Sequence, residues 1–428
     1  MEIFNSYNII IIASLVIILS FFFGELSKKT NIPSVLMLIF LGIGLKLGMD
    51  ALHLDEIDFF PILEILGIVG LIMIVLEAAL ELELKREKLW PILKAFGIAL
   101  VGLFFSTWIA ALILEQYVDG MTSEIAWIYA TPLSILSSAI IIPSVNSLSE
   151  TKKEFHIYES TFSDIMGIML FYFLTAPYEP GGHDSGLVSF LGNIGLTVAI
   201  SFLASYILIF IFQRISSHAK LFLLISVLLL LYALGKKMHL SSLIIILIFG
   251  LLIGNMQLFF RGRLNKWLHI EKAKHIYEDL HVITIETAFV VRTFFFVIFG
   301  LTIALDSLLN VDVAIISALI LASIYVIRFI ILRITLGGDI IPQLFVAPRG
   351  LITVLLFYAI PKEVEVENFE AGILLFIIMA TSIIMTIAMV YDKRRNQQAL
   401  NKANGISIGY STWKAPSVEE KEKEEKEA

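Results

Sequence analysis

The chain has no cysteine. Disulfides, thiolate nucleophiles and cysteine-based zinc sites are therefore excluded. Charge is scarce too: Asp, Glu, Lys and Arg make up 16% of 428 residues, where a soluble domain carries about 25%. No glycine-rich phosphate loop interrupts the sequence, which argues against ATP-driven chemistry. No histidine spacing suggests a metal site. Neither a cofactor nor a nucleic-acid partner is expected. The formal net charge of −7 carries little information, because an acidic run from Glu419 to Glu427 dominates it.

What fills the chain instead is hydrocarbon. Hydrophobic residues account for 58%, and mean hydropathy is +0.88. Thirteen apolar runs recur at roughly 8–24, 33–49, 61–80, 90–114, 125–145, 157–177, 188–212, 219–234, 239–258, 283–303, 311–332, 343–361 and 370–391. Each is long enough to cross a hydrocarbon core of about 30 Å as a helix. The expected class is an all-α polytopic membrane protein, with residues 1–392 as the transmembrane domain. Residues 393–428 read as a charged, largely disordered cytoplasmic tail. The first run has no basic segment before it and reads as a retained helix.

The connections set the orientation. Lys28-Lys29, Lys85-Arg86, Lys152-Lys153, Arg214, Lys220, the run from Arg261 to Lys274, Arg333 and Lys393-Arg394-Arg395 share one side. Asp50, Asp55, Glu56, Asp58, Glu115, Glu124, Glu179, Asp184, Asp306 and Glu363 to Glu370 share the other. The basic side is cytoplasmic by the positive-inside rule, which puts the N-terminus outside and the C-terminus inside. Only Lys236-Lys237 falls on the wrong side.

An odd count fits two six-helix repeats joined by a seventh span. The fifth and twelfth spans then hold equivalent places, and both are interrupted. The fifth contains Ala130-Thr131-Pro132, Ser134, Ser137-Ser138 and Pro143; the twelfth contains Ala347-Pro348-Arg349-Gly350 and Pro361. Proline removes a backbone donor and clashes one turn back, and serines can satisfy the freed groups. Paired interruptions in two halves point to a transport site near the midplane.

Beside these breaks, the sixth span carries Glu159-Ser160-Thr161-Phe162-Ser163-Asp164. A charge at mid-bilayer costs roughly 2.5–3.5 kcal/mol on insertion scales, so such acids face partners or water. Five residues at about 100° each separate Glu159 from Asp164 by roughly 140° around the helix. The two should serve different purposes. Ser160 lies one turn before Asp164 on its face, and Ser163 adjoins it. Oxygens of this kind suit hard cations, and one carboxyl that takes either a proton or a cation is sufficient for exchange. Thr131, Ser134, Ser137 and Ser138 would add neutral oxygens from the interrupted span.

Glu159 wants a cation. Arg328 is the favoured partner, since its span belongs to the repeat half that should pack on the Asp164 helix; Arg292 is the second candidate. That pair reads as structural. Glu77, in Leu76-Glu77-Ala78-Ala79-Leu80-Glu81, reads equally as a funnel acid or an interfacial one. Glu286 is too far round its helix to reach Arg292. His156 reads as a plain interfacial histidine, with a pH-responsive role the lesser alternative. Phe294-Phe295-Phe296 reads as packing or lipid contact.

Taken together these segments resemble the monovalent cation/proton antiporter superfamily, the sodium/proton exchangers. Glu159-Ser160-Thr161-Phe162-Ser163-Asp164 is similar to the family's Glu-Ser-x-x-Asn-Asp signature. Leu76 to Glu81 is similar to its Phe-Glu-x-Gly-Leu-Glu element, and Phe295-Phe296-Val297-Ile298-Phe299-Gly300-Leu301 to its Phe-Phe-x-x-x-Gly-Leu element. Ser137-Ser138-Ala139 with Pro143, Arg328, and Ala347 to Gly350 match in order over about 10–390. Two positions depart: Ser163 stands where the family has an asparagine or a second aspartate, and Thr131-Pro132 lacks the aspartate of the family's Thr-Asp-Pro. The resemblance implies alternating access by a core shifting against a dimerising panel, hence a homodimer in a lipid bilayer. One acid beside a neutral residue implies electroneutral exchange.

The expected function is thus sodium/proton exchange in a bacterial-type inner membrane, with Asp164 the shared carboxylate. Potassium (or lithium) for sodium is the alternative within the class. Sodium-coupled uptake of an organic anion is the alternative outside it, and would need a roomy pocket. A channel, with charge rings across subunits, and a non-transporting scaffold rank below. No enzymatic activity is expected.

Overall fold

The structure is a computed structural model. It describes residues 6–30, 32–51, 60–82, 84, 86–145, 148–178, 187–215, 220–237, 242–260, 268–302, 307, 310–338 and 340–405. Among these there is no strand. Leucine, isoleucine and phenylalanine runs dominate, and in hydrocarbon only a helix satisfies such a backbone internally. The helices are α1 (Ser6–Thr30), α2 (Ser34–Ala51), α3 (Phe60–Glu81), α4 (Leu89–Tyr117), α5 (Ser123–Ser134), α6 (Ser138–Ser144), α7 (Glu150–Thr175), α8 (Leu187–Phe212), α9 (Lys220–Lys237), α10 (Ser242–Gly254), α11 (Met256–Phe259), α12 (Ile270–Thr302), α13 (Val311–Leu336), α14 (Leu351–Tyr358) and α15 (Gly372–Gly405).

Among the described residues, nine helices are long and apolar enough to cross a membrane, counting α5 and α6 as one interrupted span. Leu221–Gly235 and Leu243–Gly254 are shorter apolar segments. α7 is long but carries Glu150, Lys152, Lys153, Glu154, Glu159 and Asp164, which removes it from a count by hydropathy. The outer surface is apolar: Phe21, Phe22, Trp90, Phe104 and Ile334 are exposed, as lipid contact demands.

Packing sorts the helices of residues 1–389 into two groups. α4 packs on α5, α7 and α13, and α5 and α6 pack on α7. In the other group α3 packs on α10 and α12, α2 on α12, and α10 on α8 and α9. α2 and α12 meet backbone to backbone. A Cβ on Gly42 would lie 2.1 Å from the Val297 carbonyl, and one on Gly300 would lie 2.4 Å from that of Ile39. Small residues allow such approach where lipid gives no hydrophobic drive. α14 touches both groups, through α5 on one side and α3 on the other.

A second unit comprises 390–428. Its residues to Gly405 continue α15 as helix, where the sequence reading has a tail beginning at 393. The rest of that tail lies outside the described residues, as do Asp55, Glu56, Asp58, Lys85, Glu179, Asp184 and Asp306.

Candidate functional site: two broken segments and a buried carboxyl

α5 contains Pro132 and stops at Ser134; Ile135 to Ser137 are extended, and α6 restarts at Ser138. A second non-helical stretch, 346–350, precedes α14. Pro348 disfavours helix at Ala347. The two stretches cross: the Ser137 N–H donates to the Pro348 carbonyl at 2.9 Å. Gly350 is needed there, because a Cβ would lie 2.6 Å from Ser137 Oγ and 2.8 Å from an Ile140 methyl.

Breaking a helix in hydrocarbon orphans backbone groups, and each must find a partner. The Leu136 N–H donates to Ser163 Oγ at 3.0 Å. The Ser138 N–H donates to Asp164 Oδ2 at 3.2 Å, and the Ser138 side chain hydrogen-bonds the same carboxyl. At the end of α5, Arg349 donates to the carbonyls of Leu133 (2.9 Å) and Ser134 (3.2 Å), and also to that of Ala347 (2.8 Å). Its own N–H donates to Thr381 Oγ1 of α15 at 3.1 Å. A cation at a helix C-terminus and a carboxyl at an N-terminus both oppose the local dipole favourably. Pro143 has no N–H for the carbonyl four residues back, that of Ala139. Arg292 supplies the missing donor at 2.8 Å.

Asp164 is 3% exposed. Its Oδ1 accepts no hydrogen bond among the described residues, and Ser137 Oγ is likewise unengaged. Three of the other hydroxyls turn their protons back on their own helices. Thr131 bonds Trp127 O, Ser134 bonds Ala130 O, and Ser160 bonds His156 O, at 2.8, 2.9 and 2.7 Å. A hydroxyl that donates in this way keeps lone pairs for a cation.

Glu159 is held differently. Arg328 grips both its oxygens, at 2.7 and 2.9 Å. The same guanidinium donates to the Gln343 and Val346 carbonyls, which ties α7 and α13 to the chain entering the second crossing. Such forked pairs are the strong, directional kind. Arg292 lies elsewhere, its Nη2 3.8 Å from Glu77 Oε2. Glu77 is buried. Glu286 is exposed and pairs with no cation among the described residues.

Two placements differ from the sequence reading. His156 is fully buried, its Nδ1 3.3 Å from Glu159 Oε2. Arg349, read only as part of a break, is a fully buried cation at the crossing. Pro143 was the available signal for Arg292, since a proline predicts one orphan carbonyl four residues earlier. A cavity of about 30 Å³ adjoins Ser134, Glu159, Ser163, Arg328 and Arg349, room for roughly two waters.

The family model described as "Sodium/hydrogen exchanger, transmembrane" matches residues 11–392. The chain belongs to the sodium/hydrogen exchanger family. Among solved structures it resembles the sodium proton antiporter MjNhaP1 from Methanocaldococcus jannaschii at pH 8. That match has a TM-score of 0.67 and 18% identity, over 89% of this chain and 96% of that one. A second structure of MjNhaP1, from an electron-microscopy map, matches with a TM-score of 0.65 and 16% identity, over 96% and 100%. At that identity the likeness is one of fold. As a family member the exchanger is an integral membrane cation/proton antiporter, and the crossing, rather than any catalytic constellation, is its candidate working part.

Proposed function

We propose that the exchanger carries Na⁺ against H⁺, one for one, with Asp164 as the carboxyl both ions share. The carrying observation is the uncommitted, buried Asp164 Oδ1 at the meeting of two broken segments. A proton or a cation on that oxygen excludes the other, and this competition couples the fluxes once the site is exposed alternately to each face. Thr131, Ser134, Ser137, Ser138, Ser160 and Ser163 are the neutral oxygens nearest in the chain, and carboxylate and hydroxyl oxygens suit a hard monovalent ion. Glu159–Arg328 holds α7 and takes no ion. Glu77 lines the approach from the other group of helices. The remaining cations at the crossing, Arg349 and Arg292, are committed to carbonyls, which leaves Asp164 as the titrating charge and favours electroneutral turnover.

A cavity of about 30 Å³ beside the site argues against an organic anion as cargo. We place the protein in a bacterial-type inner membrane as a homodimer, with the N-terminus outside, residues 1–392 transmembrane and the charged tail in the cytoplasm. The test is pH-dye dequenching in proteoliposomes with Na⁺, K⁺ and Li⁺, with the membrane potential clamped and free. Na⁺ should dissipate the proton gradient equally in both conditions. A response to K⁺ alone, or one that changes with the clamp, would overturn the ion or the stoichiometry.

A further inference from the structure

A second cavity, of about 80 Å³, lies between the two helix groups. Among its lining residues Glu64, Tyr172, Tyr232 and Tyr358 are polar, and Phe295 and Leu355 are apolar. Among the described residues, Glu64 is the only charged one on its wall. It is exposed, and among the described residues it pairs with no cation. It is also the only charge in α3 before Glu77, and the two acids are about 20 Å apart along the helix at 1.5 Å per residue.

α7 and α14 both run between the crossing and this cavity. Tyr172 follows Asp164 by eight residues on α7, about 12 Å along the axis. α14 leads from Gly350, packed on Ser137 at the crossing, to Leu355 and Tyr358 on the cavity wall. Between them the way is shut by close packing. A Cβ on Gly67 would lie 2.0 Å from a Leu355 methyl and 3.4 Å from the Phe295 ring. Leu355 of α14 thus fills a notch in α3, one turn beyond Glu64.

We propose that this cavity is the antechamber for the monovalent cation at the membrane face where α3 begins, with Glu64 as its cation-gathering residue and Leu355 over Gly67 as its closed floor. The inference rests on the exchange function proposed above. A carboxylate at the mouth of an apolar-walled cleft focuses its field into the cleft and raises the local cation concentration. It binds in passing and does not hold, because among the described residues no second carboxylate lines the cavity to complete a coordination shell.

The experiment compares right-side-out and everted vesicles carrying the full chain. In Glu64→Gln the apparent KM for Na⁺ should rise roughly three- to tenfold from the α3-start face only, in low salt, with maximal rate unchanged and Glu64→Asp close to wild type. An unchanged KM at that face, or an equal rise at both, overturns the proposal. A second readout does not depend on exchange. Since the chain has no cysteine, Tyr358→Cys offers a single thiol on the cavity wall. A membrane-impermeant cationic thiol reagent should label it several-fold faster than an anionic one from that face, and adding Glu64→Gln should erase the preference. Equal rates with Glu64 present overturn the antechamber. A wild type that exchanges no cation for protons would overturn the transport reading instead, and the labelling ratio would still decide the cavity.

Discussion

Glu159 and Asp164 are buried acids five residues apart on one helix, yet Arg328 binds both oxygens of Glu159 while Asp164 keeps one oxygen uncommitted. The difference lies in what each acid faces. Glu159 turns to an intact helix, α13, that brings a guanidinium. Asp164 turns to a broken one, whose start offers only the N–H and hydroxyl of Ser138. A matched ion pair in a low dielectric is rigid, and its removal by halves is costly. An acid held by weak neutral donors can change its charge without dismantling its surroundings. The same helix therefore carries one committed acid and one uncommitted acid, set by the backbone opposite each.

The contrast can be broken from either side. Asp164→Asn should reduce exchange to background in proteoliposomes while leaving the melting temperature of the purified protein unchanged or higher, since an amide retains the acceptor for Ser138. Residual Na⁺-driven proton movement near the wild-type rate would remove Asp164 from the mechanism. Arg328→Ala should do the converse. It strands a buried carboxylate, at a cost of about 3–5 kcal/mol, and should appear as loss of folded protein in detergent. Pairing it with Glu159→Leu should recover much of the yield, and failure of the double variant to do so would mean that Arg328 is needed chiefly for the Gln343 and Val346 carbonyls.

How legible these two regions are in the sequence follows from the same physics. The interruption at 135–137 is readable because proline and serine in an apolar run announce a broken backbone. The opposition of the two acids is readable because it depends only on helical periodicity. Arg349 is not readable in the same way: a lone arginine beside a proline looks alike whether it caps a broken helix or faces water, and the partners, Leu133 and Ser134, lie more than 200 positions away. The burial of His156 is not readable either, because its spacing from Glu159 on α7 does not show what packs over it. Glu64 is ordinary in sequence, an acid near a helix end, and only the cavity beside it sets it apart.

Smaller changes at the crossing sharpen the comparison. Gly350→Ala places a methyl group 2.6 Å from Ser137 Oγ. Overpacking of this kind costs about 1–3 kcal/mol. Because Ser137 would have to shift next to Ser138, exchange should slow more than stability falls. Equal, small losses in rate and melting temperature would show that the contact is packing only.

Ser163 gives the finest test, since it is where the chain departs from the exchangers it resembles. Its hydroxyl accepts the N–H of Leu136 at 3.0 Å, one of the groups orphaned when α5 stops. Ser163 thus serves the broken backbone directly, next to the acid proposed to serve the ion. Ser163→Ala should leave that N–H buried and unsatisfied, at a cost of about 1–2 kcal/mol, read as a lower melting temperature with the Na⁺ KM little changed. Ser163→Asn restores an acceptor oxygen and should recover the stability, since an amide carbonyl can take the same N–H. If instead Ser163→Ala raises the Na⁺ KM many-fold at constant melting temperature, the hydroxyl ligates the ion and the division between backbone support and ion binding fails at this residue.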